Sequence, residues 1–260
     1  MKLKDFCFAL VITILFAVLI YLNQNHGFFI IGNSQEYPTY VSLRFDDGLK
    51  SQLSAFEILR QNNLSGSMYI ITSKPYSQIG WQKEYYLNWS EIKQLSYFME
   101  IGSHTITHRD LTRTDEYGEE IKFSKKELEA QGFNISTFVY PAGIYNTRVI
   151  KEVESNYECA STQDVGVNSL EIKSPHLLKD FTLSADNNIE DVKRVIKKGS
   201  WTILTFHDID QVSSVVPDYY VKISSSNTIS VEFFKDILDY LKSENINIIT
   251  VENGCKQFKQ

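Results

Sequence analysis

From Tyr40 to Val251 the chain alternates between short runs of β-branched and aromatic residues and longer stretches with helical period. Strand-like patterns fall at 40–45, 67–71, 101–105, 137–140, 158–162, 177–183, 201–206 and 246–251. Helical patterns occupy 52–62, a segment opened by Asn88 or Ser90 and running to Met99, then 119–130, 147–155, 189–198 and 231–243. Parallel strands need crossovers of about a dozen residues or more, and helices supply them. Seven or eight such strands in about 210 residues predict a closed or nearly closed α/β barrel rather than a small open sheet. Ligands of such folds bind at the carboxyl ends of the strands, so functional polar residues are expected just after strand runs.

The first 25 residues follow another rule. Residues 6–22 are apolar apart from Thr13, and as a helix they span about 25 Å, near the lower limit for crossing a bilayer. Lys2 and Lys4 in front favour a cytoplasmic N-terminus with everything after Leu22 outside. The stretch Tyr21-Leu22-Asn23-Gln24-Asn25-His26 lacks an A-x-A-like cleavage site, so the segment reads as an uncleaved membrane anchor, with a cleaved signal peptide and secretion as the alternative. The domain plan is therefore 1–25 anchor or signal, 26–38 linker, and 39–256 one folded domain. A net charge of -6, from 26 basic and 32 acidic side chains, argues against a broad nucleic-acid footprint. Outside the apolar segment only Cys159 and Cys255 remain, and they either stay as thiols or form one bridge on the oxidising side.

Three polar clusters follow strand runs. Arg44-Phe45-Asp46-Asp47-Gly48 places two adjacent carboxylates at the end of the first strand; adjacent residues leave a strand in opposed directions, so one can bind a cation while the other faces a substrate. Gly102-Ser103-His104-Thr105-Ile106-Thr107-His108 carries two imidazoles four residues apart, a spacing that puts both on one side of a strand or helix turn. Two imidazoles and a carboxylate make a facial set for a divalent cation, zinc by donor chemistry, with open positions for water and substrate. Trp201-Thr202-Ile203-Leu204-Thr205-Phe206-His207-Asp208 ends an apolar strand in a histidine on the same rim, a candidate proton donor. His26 and His176 have no such context and read as structural.

These segments, in this order, resemble the polysaccharide deacetylase family, carbohydrate esterase family 4. Trp89-Ser90-Glu91-Ile92-Lys93, Asp110-Leu111-Thr112, Phe138-Val139-Tyr140-Pro141-Ala142-Gly143 and Ala160-Ser161-Thr162 also fall where the family carries similar segments, the Tyr-Pro pair resembling one of its branches. The resemblance spans roughly 39–251. It implies an α/β fold, a distorted (β/α)7 barrel, whose metal activates water to remove acetyl groups from an N-acetylglucosamine-containing glycan at the cell surface. It also implies that Asp46 is the general base, that Asp47, His104 and His108 are the metal ligands, and that His207 is the general acid. The Ala142 N–H would help stabilise the developing oxyanion, with Tyr140 and Pro141 beside the substrate. A sugar O-acetyl esterase and a non-catalytic polysaccharide-binding protein are the alternatives. The aromatic side chains of Trp81, Tyr85, Tyr86 and Tyr145 are candidates for stacking on sugar rings.

Two departures stand out. The arginine that holds the base in the family falls on Val139, and the position from which the Tyr-Pro branch supplies one looks like Asp180. Lys179, Arg44 and Arg148 are the substitutes within reach of the pattern. Without any of them Asp46 is poorly fixed, and Val139→Arg is expected to raise turnover. The aspartate that tunes the acid histidine has only Asp164 as a weak counterpart.

Overall fold

The computed structural model describes residues 37–210 and 225–260. In chain order the elements are β1 (Tyr40–Phe45), α1 (Leu53–Gln61), β2 (Ser67–Ile70), α2 (Trp81–Tyr85), α3 (Trp89–Leu95), β3 (Glu100–Ser103), α4 (Tyr117–Ala130), β4 (Thr137–Val139), α5 (Thr147–Asn156), β5 (Cys159–Val165), β6 (Leu178–Thr182), α6 (Ile189–Val195), β7 (Trp201–Phe206), the short β8 (Asp208–Ile209) and β9 (Thr228–Ile229), α7 (Val231–Ser243), β10 (Asn247–Ile248) and α8 (Val251–Phe258). Strands β1 to β7 run parallel in sequence order, and β1 pairs with β7 from Tyr40↔Trp201 to Phe45↔Phe206, which closes the barrel. The fold expected from the strand and helix alternation is the one observed. The apolar segment 6–22 read as an anchor lies outside the described residues, and among the described residues no helix is long and apolar enough to cross a membrane.

The two-residue period of the strands builds two cores. Val41, Leu43 and Phe45 of β1, with Leu204 and Phe206 of β7, face the helices and join the larger apolar cluster that includes Phe56, Phe234 and Leu238. The opposite faces turn into the barrel. There Trp201, Ile203, Val139, Cys159 and Leu178 pack with Val251, Cys255 and Phe258 of α8. This helix closes the end of the barrel where the strands begin.

Residues 246–251 look like a full strand, yet only Asn247 and Ile248 pair with β1, and the Thr250 hydroxyl then accepts the Asn253 N–H to start α8. A short apolar run fits both a strand and a buried helix turn, and Gly254 weakens the helical pattern. Gly254 is needed for packing: a Cβ there would sit 2.4 Å from the Trp201 ring. The domain accordingly runs past 256, since Phe258 is buried. Cys159 and Cys255 form a disulfide with a Cα–Cα distance of 6.3 Å, tying the start of β5 to α8.

Candidate active site

Asp47, His104 and His108 come together at the carboxyl ends of β1 and β3. His104 Nε2 stands 3.5 Å and His108 Nε2 3.7 Å from Asp47 Oδ1. Ligands about 2.0–2.2 Å from one ion at tetrahedral angles are roughly 3.3–3.6 Å apart. The two Asp47 distances are close to this and all three ligand atoms lie within 4.8 Å of one another, so the trio could hold a small divalent cation. Asp47 Oδ1 is buried with no hydrogen-bond partner, as a ligand atom would be. The His104 Nδ1–H donates to the Val139 carbonyl at 2.9 Å, which leaves the Nε2 lone pair facing Asp47. Burial, aided by His108, pushes the His104 pKa down to about 4, so the ring is neutral and able to bind metal at neutral pH. Burial works to raise the Asp47 pKa, but His108, His207, His104 and Lys74 outweigh it, and the net shift is downward.

The four-residue histidine spacing does not act through a regular strand or helix. Asp47, Thr105 and His108 have φ of 72°, 67° and 64°, and Ala142 across the rim has 51°. Non-glycine residues hold such conformations at a cost of about 1–3 kcal/mol each, and only where the surroundings impose them. The imposing group at the histidine loop is Glu120 of α4, buried, whose Oε2 accepts the N–H groups of Ile106 and Thr107, each at 2.9 Å. Its Oε1 accepts the Thr107 hydroxyl at 2.6 Å, and the His108 N–H donates to the Thr105 hydroxyl at 2.9 Å. Sequence reasoning missed Glu120, because nothing local separates it from the other acidic residues of α4.

Asp46 is fully buried and held by Arg44, two residues earlier on the same inward face of β1. The guanidinium Nη2 lies 2.9 Å from Asp46 Oδ2 and 2.9 Å from Asp180 Oδ2, and Nη1 donates to the Thr162 carbonyl at 3.2 Å. Asp180 also accepts the Thr205 hydroxyl at 2.5 Å and the Thr182 hydroxyl at 3.2 Å. Burial opposes the charge on Arg44, but the two carboxylates outweigh it and raise its pKa; at Asp180 burial prevails over Arg44 and pushes the pKa up. Asp46, the expected base, therefore has a cation beside it, supplied from the preceding strand, and Asp180 is a second counter-ion of that cation rather than a lost arginine. Val139 is fully buried on the inward face and opposite Ser161 in register. Asp46 Oδ1 has no protein partner.

The rim encloses a cleft of about 240 Å³ lined by Asp47, Lys74, Tyr85, Tyr86, His108 and His207 among others. Gln52, buried and also missed in the sequence, donates from Nε2 to the Asp46 carbonyl at 2.7 Å and the His207 carbonyl at 3.0 Å, joining the end of β1 to the end of β7. Asp208 also lines the cleft and accepts the Ser51 hydroxyl at 2.7 Å and the Tyr85 hydroxyl at 3.1 Å. Tyr140 and Pro141, expected beside the substrate, are buried instead: the Tyr140 ring joins the outer core and its hydroxyl donates to the His176 carbonyl at 3.1 Å. What that turn exposes is Ala142, and the turn's own hydrogen bonds are made by the Gly143 and Ile144 N–H groups. Asp164 is exposed and accepts the Tyr145 hydroxyl at 2.7 Å, so it orients Tyr145 and not His207. Tyr85 and Tyr86 line the cleft with Trp81 packed behind them, whereas Tyr145 packs on Tyr140. His176 is structural as expected, its Nε2 2.9 Å from the Tyr157 carbonyl.

Residues 33–157 match the sequence family described as polysaccharide deacetylase. Among solved structures, a polysaccharide deacetylase from Bacillus cereus aligns at 28% identity and a TM-score of 0.53, over 60% of this chain and 51% of that one. The chain thus spans about half of that relative's length. The deacetylase PplD of Streptococcus pyogenes, solved in complex with acetate, aligns at 23% identity and a TM-score of 0.55 over 60% of this chain and 70% of its own. A family 4 carbohydrate esterase pseudoenzyme from Bacillus anthracis aligns at 13% identity and a TM-score of 0.55 over 86% of this chain and 68% of its own. The last two likenesses establish the fold alone. No curated protein matches the chain.

Proposed function

Given that the chain belongs to the polysaccharide deacetylase family, we propose that it is a metal-dependent hydrolase that removes N-acetyl groups from an N-acetylglucosamine-containing polysaccharide at the cell surface. The observation that carries this reading is the meeting of Asp47, His104 and His108 on one barrel rim with a tethered Asp46 and with His207. A divalent cation in that trio, zinc by the donor chemistry, supplies Lewis acidity toward the acetyl carbonyl and a lowered pKa for water. Asp46 takes the proton of the attacking water through its free Oδ1, held in place by Arg44. As the C–N bond breaks and the new C–O bond forms, His207 gives a proton to the departing amine. The Ala142 N–H serves the developing negative charge on the acetyl oxygen. The alternative of a non-catalytic binding protein rests on the lacking family arginine, and the Arg44–Asp46 pair supports the catalytic reading over it.

We assign the domain to the outside of the membrane, held by residues 6–22. Lys2 and Lys4 ahead of that segment and the Cys159–Cys255 bridge support this placement. Sequencing the N-terminus of the exported protein tests it: a membrane-free chain beginning near residue 25–35 would replace the anchor with a cleaved signal.

The activity is tested by acetate release from acetylated glucosamine oligomers with and without added metal, acetylated xylan being the O-acetyl arm. His104→Ala and His108→Ala are expected to lose bound metal and activity together. Stoichiometric metal in either variant, measured by plasma emission, would reject the ligand assignment.

A further inference from the structure

We infer that Lys74 forms a subsite for an anionic substituent of the glycan, a carboxylate or a phosphate, so that the cleft selects a charged acetylated polymer. The inference rests on the deacetylase reading and adds the substrate class to it. Lys74 follows β2 in a turn whose backbone is fixed on both sides. The N–H groups of Thr72 and Ser73 donate to the carbonyls of Thr105 and Ile106, each at 3.0 Å, and the Lys74 N–H donates to Ile71 at 3.0 Å. Pro75 follows with its ring-locked φ. This turn is therefore built onto the loop that carries His104 and His108, and it delivers the lysine into the cleft that Asp47, His108 and His207 line.

A lysine near a surface ordinarily carries its ammonium out to water along its aliphatic stem. Lys74 does not: it is half-buried, with Nζ 4.9 Å from the centre of the Tyr86 ring on the cleft wall. Among the described residues it makes no ion pair and its ammonium donates no hydrogen bond. Burial lowers its pKa, and Asp47 offsets this only in part. Of the neighbouring carboxylates, Asp46 is engaged by Arg44 and Asp208 by Ser51 and Tyr85, while Asp47, which the proposed function commits to the cation, acts on Lys74 through charge without an ion-pair contact. A partly desolvated ammonium that has a ring face beside it but no anion within ion-pair distance is only partly compensated, and a substrate anion would add a charge-assisted hydrogen bond. A neutral acetylated sugar offers it only hydroxyl groups.

The test compares the metal-loaded protein on three acetylated glucosamine oligomers of equal length: neutral, carboxylate-bearing and phosphate-bearing. Wild type is expected to favour at least one anionic oligomer through KM, with the two anionic arms deciding between carboxylate and phosphate. Lys74→Gln is expected to cut the anionic-to-neutral ratio of kcat/KM about tenfold or more, while Lys74→Arg keeps most of it. Equal losses on neutral and anionic oligomers, or no loss of preference, would overturn the subsite. If no oligomer releases acetate, the deacetylase reading is what fails. The subsite is then decided by calorimetric binding of the same oligomers to wild type and Lys74→Gln: a Lys74-dependent preference for the anion upholds it, and equal binding overturns it.

Discussion

A guanidinium enclosed by a barrel must be paired, and both partners of Arg44 are inward-facing carboxylates, one of them the proposed base. Arg44→Lys keeps the charge but loses the planar group whose Nη2 meets both Asp46 and Asp180 while Nη1 holds the Thr162 carbonyl, so kcat is expected to fall by roughly tenfold to a hundredfold with metal content unchanged. Val139→Arg, which the sequence alone suggests as an improvement, is now expected to give no gain. It places a second guanidinium in a fully buried position and lowers stability by several kcal/mol, roughly 1–3 from overpacking alone, as a urea titration would read. His104 carries a separate pH signature. Its folded pKa of about 4 lies below the unfolded 6.5, so between those values the unfolded chain binds more protons. The stabilisation, on the order of 3 kcal/mol, is complete above pH 6.5 and is lost as pH falls toward 4. Urea midpoints of metal-stripped protein at several pH values should show this decline, and His104→Gln should flatten it.

At the scale of elements, the histidine loop shows how a helix secures what a strand end presents. Glu120 reaches from α4 to satisfy two N–H groups and a hydroxyl of the loop, and through them it fixes the left-handed turn at His108. Glu120→Ala is expected to weaken metal affinity by about 10- to 100-fold, with faster amide exchange at Ile106 and Thr107, because outer-shell partners set ligand orientation. Chelator competition and hydrogen exchange would measure the two effects. The meeting of Asp47, His104 and His108, the proposed ligands, was legible because the clusters follow strand runs, the barrel rule places those ends on one rim, and their combination resembles a known family. Glu120 and Gln52 were not, since a buried polar residue and an exposed one look alike in a helical pattern. Asp180 read as a defect because the sequence does not show that Arg44 and Asp180 meet across the barrel. The α8 plug was hidden by an apolar run of strand length and by a glycine whose value lies in contact with Trp201.

At the scale of the molecule, among the described residues, the candidate active site and the disulfide lie at opposite ends of the barrel. The candidate site is at the carboxyl ends of the strands, whereas α8 closes the other end, with the Val251 N–H on the Ser67 hydroxyl at 2.8 Å and the Glu252 N–H on the Glu100 carboxylate at 2.8 Å. The Cys159–Cys255 bridge spans 96 residues of sequence, so its loss frees a long loop in the unfolded chain and is expected to cost about 2–4 kcal/mol. For a domain of this size that is a fall of roughly 5–15 °C in Tm. Because the bridge holds the plug and touches no ligand, the doubly substituted Cys159→Ser, Cys255→Ser protein should keep stoichiometric metal and wild-type kcat at temperatures well below its own Tm. Reduction of the wild type under native conditions should reproduce the lower Tm. Loss of metal in the folded double variant would instead show that the closed end of the barrel transmits its state to the rim.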